Sequence, residues 1–318
     1  MKVLFITSNR IGDAVLSTGL VAWMVDNVRD LRLTVACGPL AAPLFEAVPG
    51  IERVIPMHKG RWGAHWFRLW RQVWWRRWNL IVDLRGSLIS QGLRSTRRKV
   101  MLFHNETTHK VAQLGAFMKL RPVPGPRIYV APSHEAAAAR LIPAGPPVLA
   151  VAPTANWIGK IWPAERFVEA IARLTGPDGI LPGARIAVFG GPGEEALARP
   201  VLEALPRERV IDLVGTVDLL TASACLRRCA LFIGNDSAPM HLASASGIPT
   251  IGLFGPSKER VYGPWGERGL AIRTDLSYDQ IVAAPEYDHR LPQSWMGSLP
   301  VDKVVAEAED FWRHLEET

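Results

Sequence analysis

The sequence predicts an α/β protein made of two units with largely parallel sheets, and three observations carry that reading. Short apolar runs alternate with helical patterns through both halves of the 318 residues, the pattern of right-handed βαβ crossovers. Several runs end in a polar or glycine-rich turn that opens a helix, which is where open parallel sheets hold ligands. Between the halves, Pro143, Pro146 and Pro147 crowd together. They place an interdomain linker at residues 141–147 and a boundary after residue 142, and the length suits two domains of ordinary size.

Strands of the first sheet are expected at residues 3–7, 33–36, 54–56, 80–84, 100–103 and 128–130. Those of the second are expected at 148–152, 186–189, 210–213, 231–234 and 250–254. A helix over 301–315 closes the chain.

In the first βα corner, the run 3–7 leads into Ser8-Asn9-Arg10-Ile11-Gly12-Asp13 and then into the helical pattern Ala14, Val15, Leu16, Leu20, Val21. Asp13 therefore stands at a carboxyl edge, where its carboxylate can face a reacting group. Taken alone it reads first as a helix cap.

Charge is uneven along the chain. Residues 1–140 carry 21 Lys and Arg against 8 Asp and Glu, while the rest carry 16 against 22, for the overall +7. A basic half favours an anionic partner: phosphorylated glycolipid, a bilayer surface or nucleic acid. Within it, residues 61–78 repeat Trp62, Trp66, Trp70 and Trp74 every fourth position, with Arg61, Arg68, Arg71, Arg76 and Arg77 between or beyond them. Two readings stay open, an interfacial helix with tryptophans at the headgroup level and a core helix whose tryptophan face packs on the sheet. Arg94, Arg97, Arg98 and Lys99 form a second cluster, suited to acceptor phosphates or carboxylates or to a solvated face.

Three further loops belong to the second half. TANWIGKIWP, residues 154–163, follows the strand at 148–152 and carries Lys160, a cation able to neutralise a departing phosphate or an ordinary surface lysine. Gly190-Gly191-Pro192-Gly193 follows the strand at 186–189 and leads into Glu194 and Glu195, without the GxGxxG spacing of dinucleotide sites. The most informative stretch is LFIGNDSAPMHLASASGIPTIGLFGPS, residues 231–257: strand, polar turn, helix over 239–246, and second strand. N–H groups in the first turn of that helix, with its dipole, offer a phosphate site. The plainer alternative is that Asp236 or Ser237 only caps the helix.

Cys37, Cys225 and Cys229 read as buried thiols of a reducing compartment. The first residues lack a secretory pattern, and no apolar run is long enough to span a bilayer.

Together the four loops resemble glycosyltransferase family 9, the ADP-heptose:lipopolysaccharide heptosyltransferases. GNDSAPMH resembles that family's D-[ST]-G-x-x-H element, Ile11-Gly12-Asp13 its N-terminal G-D, Lys160-Ile161-Trp162-Pro163 its K-x-W-P motif, and GGPGE the loop whose glutamate meets the donor ribose. Ala238 departs from the pattern, standing where the family has glycine and leaving slightly less room for phosphate.

The resemblance implies a GT-B fold, with two Rossmann-like domains facing across a cleft: residues 1–142 for the acceptor, 143–318 for the nucleotide-sugar donor, and a final helix packed back on the first domain. It implies inverting, metal-independent transfer of heptose from ADP-heptose to the lipopolysaccharide inner core, with no cofactor and no nucleic-acid partner, at the cytoplasmic face of the inner membrane. Asp13 would be the general base and Lys160 the leaving-group cation. Thr154, Glu194, Asp236, Ser237, Ala238 and His241 would bind the donor, Val217 would line its adenine, and Arg10, Arg94, Arg97 and Arg98 would meet the acceptor. The rival readings are a GT-B enzyme using a UDP- or GDP-sugar, and a non-catalytic basic module that binds anionic membrane or nucleic acid.

Overall fold

The computed structural model describes residues 1–103 and 105–317, with the side chain of Trp62 outside the described residues. The chain divides into two compact units, Met1–Ala131 and Pro132–Thr318. In the first, β1 (Lys2–Ile6), α1 (Ile11–Asn27), β2 (Arg32–Cys37), β3 (Ile51–Pro56), α2 (Ala64–Val73), β4 (Trp78–Asp83), β5 (Ser95–Val100) and α3 (Lys110–Met118) follow one another. Their five strands form a sheet in the order β3-β2-β1-β4-β5, every pair parallel.

The second unit opens with α4 (Pro132–Leu141) and β6 (Val148–Ala152), α5 (Ala164–Leu174), β7 (Arg185–Val188), α6 (Glu195–Ala204) and β8 (Val210–Asp212). It continues with α7 (Leu219–Leu226), β9 (Leu231–Asn235), α8 (Ala238–Ala245), β10 (Thr250–Phe254), α9 (Glu259–Tyr262), β11 (Gly269–Arg273), α10 (Tyr278–Ala283) and α11 (Val301–Glu317). The sheet order is β11-β10-β9-β6-β7-β8, again parallel throughout.

Central strands behave as their sequences demand. All five residues of β6, β9 and β10 are buried, because helices cover both faces of a parallel sheet and the strands must be apolar throughout. Trp162 and Phe167 meet edge to face at 5.0 Å in the core of the second unit. The Trp162 indole N–H, which burial would otherwise leave costly, donates to the Leu299 carbonyl at 3.0 Å. α11 packs along α5 and β11 through Val301, Val304, Val305 and Ala308.

Several expected boundaries change. The strand expected at 100–103 is β5, Ser95–Val100, so Arg97, Arg98 and Lys99 of the expected cluster lie on a strand. β5 is an edge strand paired only with β4, and cations on such an edge discourage further pairing. Residues 128–130 form no strand; Ile128 is simply buried. The edge strand β11 was not anticipated, because four of its five residues are only partly buried and its sequence is not a continuous apolar run.

The units meet ahead of the expected linker, at Ala131 and Pro132. α4 packs on α7, and it is tied there by Arg227 to Glu135 at 3.1 Å.

The tryptophan segment divides its roles. α2 ends at Val73, and Trp78 is a fully buried residue of β4. Trp66 and Trp70 pack partly buried on the core beside Leu69 and Val73, while Trp74 and Trp75 are exposed. Every fourth residue advances about 40° around a helix, so the stripe leaves the core face within two steps.

Candidate active site

Strand order explains which loops of the second unit come together. β6 lies between β9 and β7, so the loop after β6 is flanked at the carboxyl edge by the loops after β9 and β7. Lys160 ends a tight turn at Ile158–Lys160. Its ammonium donates to Asp236 Oδ2 at 2.5 Å, with the lysine side chain 24% and the aspartate 6% exposed. The turn is fixed from both sides: Trp162 is buried, and its backbone N–H donates to Asn235 Oδ1 at 3.1 Å.

Asp236 has a second neighbour, His241 Nε2, 3.7 Å from Oδ1 and one turn into α8. No side chain caps α8 among the described residues, so neither Asp236 nor Ser237 serves as the simple cap. The Ser237 hydroxyl is buried and has no hydrogen-bond partner among the described residues. It stands immediately before Ala238, the first residue of α8, where the helix dipole adds positive potential.

The loop after β7 is locked to the loop after β6. The Thr154 hydroxyl donates to Glu194 Oε2 at 2.6 Å, and the Gly191 N–H donates to the same oxygen at 2.8 Å. Residue 190 is closely packed: a Cβ there would lie 3.0 Å from Val214 Cγ1 and 3.2 Å from Thr154 Oγ1, so those side chains would have to shift to admit one.

The Gly215 N–H donates to the Gly190 carbonyl at 3.0 Å. This lays the loop after β8, with half-buried Val217, beside the glycine loop. Thr154, Lys160, Glu194, Val217, Asp236, Ser237, Ala238 and His241 thus share one edge of the second unit.

In the first unit, Asp13 is the third residue of α1, a position where the dipole favours a carboxylate. The Ser8 hydroxyl donates to its Oδ2 at 3.4 Å, and the Arg10 N–H donates to Ser8 Oγ at 3.1 Å. Arg10 is exposed beside it. The other expected acceptor residues are not gathered there. Arg94 precedes β5 at the amino edge of the sheet, where its carbonyl accepts from Trp78. Arg97 lies along the edge strand opposite Leu80, and Arg98 is tied to the Leu93 carbonyl at 2.6 Å.

Three residues near Asp13 escaped the sequence reading. Lys110, the first residue of α3, has its pKa pushed down by burial, against the opposing pull of the Asp13 carboxylate. Arg85 donates to Asn9 Oδ1 at 3.0 Å and lies 4.8 Å over the Trp66 ring. Burial lowers its pKa while the Asp83 charge raises it. Asp83, fully buried, accepts from the Arg85 and Ser87 N–H groups at 2.9 Å each and from the Ser87 hydroxyl at 2.5 Å. The D-L-R-G-S turn after a buried strand was the available signal.

Two α/β units of parallel sheets, one with a lysine, carboxylates and a helix N-terminus collected at its carboxyl edge, are the setting in which open α/β sheets hold anionic ligands. The family model described as glycosyltransferase family 9 (heptosyltransferase) matches residues 97–285, and the chain belongs to that family. It is 25% identical over 207 residues to lipooligosaccharide heptosyltransferase 2 of Haemophilus influenzae, covering 62% of this chain and 56% of that one. The chain spans about half the length of the curated relatives it matches.

Among solved structures, glycosyl transferase family 9 from Veillonella parvula superposes with a TM-score of 0.79 at 20% identity, covering 98% of this chain and 97% of that one. Escherichia coli ADP-heptose lps heptosyltransferase II follows at 0.74 and 19%, covering 99% and 100%. The fold is therefore GT-B, with two Rossmann-like domains.

Proposed function

We propose that the protein is an inverting, metal-independent glycosyltransferase that moves a heptose from ADP-heptose to the inner core of lipopolysaccharide. The second unit binds the donor and the first the acceptor. The observation that carries this reading is the Lys160, Asp236 and His241 chain beside the buried Ser237 hydroxyl and the N-terminus of α8. A diphosphate has more acceptor oxygens than this edge can satisfy internally, and the edge offers it an ammonium, a hydroxyl and backbone N–H groups. The names of the relatives supply the sugar and the acceptor.

In the reaction, Asp13 takes the proton of an acceptor hydroxyl as that oxygen bonds to the anomeric carbon of the donor. The bond from that carbon to the ADP phosphate oxygen breaks from the opposite side, inverting the centre. The negative charge left on the diphosphate is met by Lys160, the Ser237 hydroxyl and the first N–H groups of α8, with Thr154 in support. Glu194 accepts from the donor ribose, and Val217 lies against its adenine. Arg10, exposed beside Asp13, offers the acceptor's phosphates and carboxylates a positive charge.

The acceptor is lipid-anchored, so the enzyme works as a peripheral protein on the cytoplasmic side of the inner membrane. No described helix is long and apolar enough to cross a membrane.

The test is a transfer assay with ADP-heptose and truncated lipopolysaccharide acceptors, read by mass spectrometry. One heptose added per acceptor is expected, and no addition with intact donor would overturn the proposal. Calorimetry with ADP, UDP and GDP separates the rival donors, with ADP expected to bind most tightly.

A further inference from the structure

The outer face of α2 and the turn that follows it has an unusual composition for a surface. Phe67, Trp74 and Trp75 are 61%, 46% and 59% exposed. Arg68 and Arg71 on α2, with Arg61 just before it and Arg77 just after, are exposed beside them. The inner face, with Leu69, Val73, Trp66 and Trp70, is already committed to the core. The outer aromatics are held in place rather than loose: Phe67 stacks on Trp70 at 6.0 Å, Trp70 on Trp74 at 5.6 Å, and the Arg76 guanidinium lies 5.0 Å over Trp75.

From Arg53 to Arg77 the sequence contains no Asp or Glu. The nearest acid, Glu52, is already paired with Arg32 and Arg76, so the grouped aromatics and the remaining arginines suit a partner both dry and negative.

We infer that this face docks on an anionic phospholipid bilayer, with the indole and phenyl rings at the headgroup boundary and the arginines on lipid phosphates. Aromatic rings with a polar or cationic rim suit that zone, and each basic residue near such a surface adds about 1 kcal/mol of attraction. Charge complementarity selects this occupant. A second copy would set the same arginines against one another, and the aromatic rings lie on a helix face rather than in a groove that could track a nucleic-acid strand. The assignment rests on the membrane contact proposed above, names the surface that makes it, and is indifferent to which sugar is transferred.

The experiment is co-sedimentation of the full chain with vesicles of equimolar phosphatidylglycerol and phosphatidylcholine, and with phosphatidylcholine alone. Wild type should sediment with the anionic vesicles and not with the neutral ones. Arg71→Glu should weaken binding about fivefold or more, and Trp74→Ser with Trp75→Ser should abolish it. Circular dichroism and thermal melting of the variants, together with unchanged transfer to a soluble deacylated acceptor, show that the fold and catalysis are intact. Equal binding by wild type and variants overturns the inference, as does failure of wild type to bind, or binding of single-stranded RNA in preference to vesicles. If vesicle binding is lost in the variants while wild type transfers no heptose, the surface stands and the proposed reaction fails.

Discussion

Lys160 Nζ lies 2.5 Å from Asp236 Oδ2, joining the loop after β6 to the turn that opens α8. The aspartate is almost wholly buried, so it holds the ammonium at the mouth of the helix rather than releasing it to solvent. That placement stations a positive charge where a leaving diphosphate would develop negative charge, before any ligand arrives.

Lys160→Ala is expected to lower kcat by about 100-fold or more, the scale of losing one preorganised stabiliser of transition-state charge. Affinity for ADP should fall less. Steady-state kinetics with calorimetry on the same preparation checks this, and unaltered kcat removes Lys160 from the reaction.

Glu194 is already oriented by the Thr154 hydroxyl and the Gly191 N–H. Glu194→Gln should weaken ADP binding roughly tenfold, the scale of one charge-assisted hydrogen bond. Deoxyadenosine diphosphates lacking one ribose hydroxyl should lose the difference between wild type and variant. Equal affinities for all pairs would show that the carboxylate serves only its own loop.

Much of this site was legible because its residues sit in turns that punctuate buried strands. β6, β9 and β10 read as unbroken apolar runs, and Asn235-Asp236-Ser237 stood out as the break. What the sequence could not convey was which loops and helices meet, such as the ion pair of Lys160 with Asp236 or the approach of Lys110 on α3 to the charge of Asp13 on α1, since these depend on how the elements are ordered in space. Edge strands were the other blind spot. β5 reads S-T-R-R-K-V because an edge strand needs fewer apolar neighbours, so the strand was expected a few residues later, at the apolar run 100–103. The tryptophan repeat left two readings open and the structure divides it between them, since a period of four drifts around the helix.

Asp218 caps α7 by accepting from the Leu220 and Thr221 N–H groups at 2.9 Å each and from the Thr221 hydroxyl at 2.7 Å. Burial disfavours its charge, but these hydrogen bonds win and its pKa lies below the ordinary value. A depressed carboxylate pKa stabilises the fold above the unfolded-state pKa and is lost as pH falls through the folded one. Asp218→Ala should therefore cost about 1 kcal/mol at neutral pH, narrowing as pH drops below about 4. Urea melts at several pH values measure it, and a pH-independent difference would contradict the account.

Transfer should persist undiminished in excess chelator, since charge on the departing diphosphate is assigned to Lys160 and to the N–H groups of α8. Activity lost to chelator and regained with Mg²⁺ would transfer that role to a cation.

The central claim is that the Asp13 carboxylate removes the acceptor's proton, and Asp13→Asn tests it most directly. The variant keeps the shape of the first turn of α1 but cannot act as a base at neutral pH. Single-turnover transfer should fall about 100- to 10,000-fold while calorimetry shows ADP bound as tightly as by wild type. Near-normal transfer by Asp13→Asn, with donor binding intact, would contradict it.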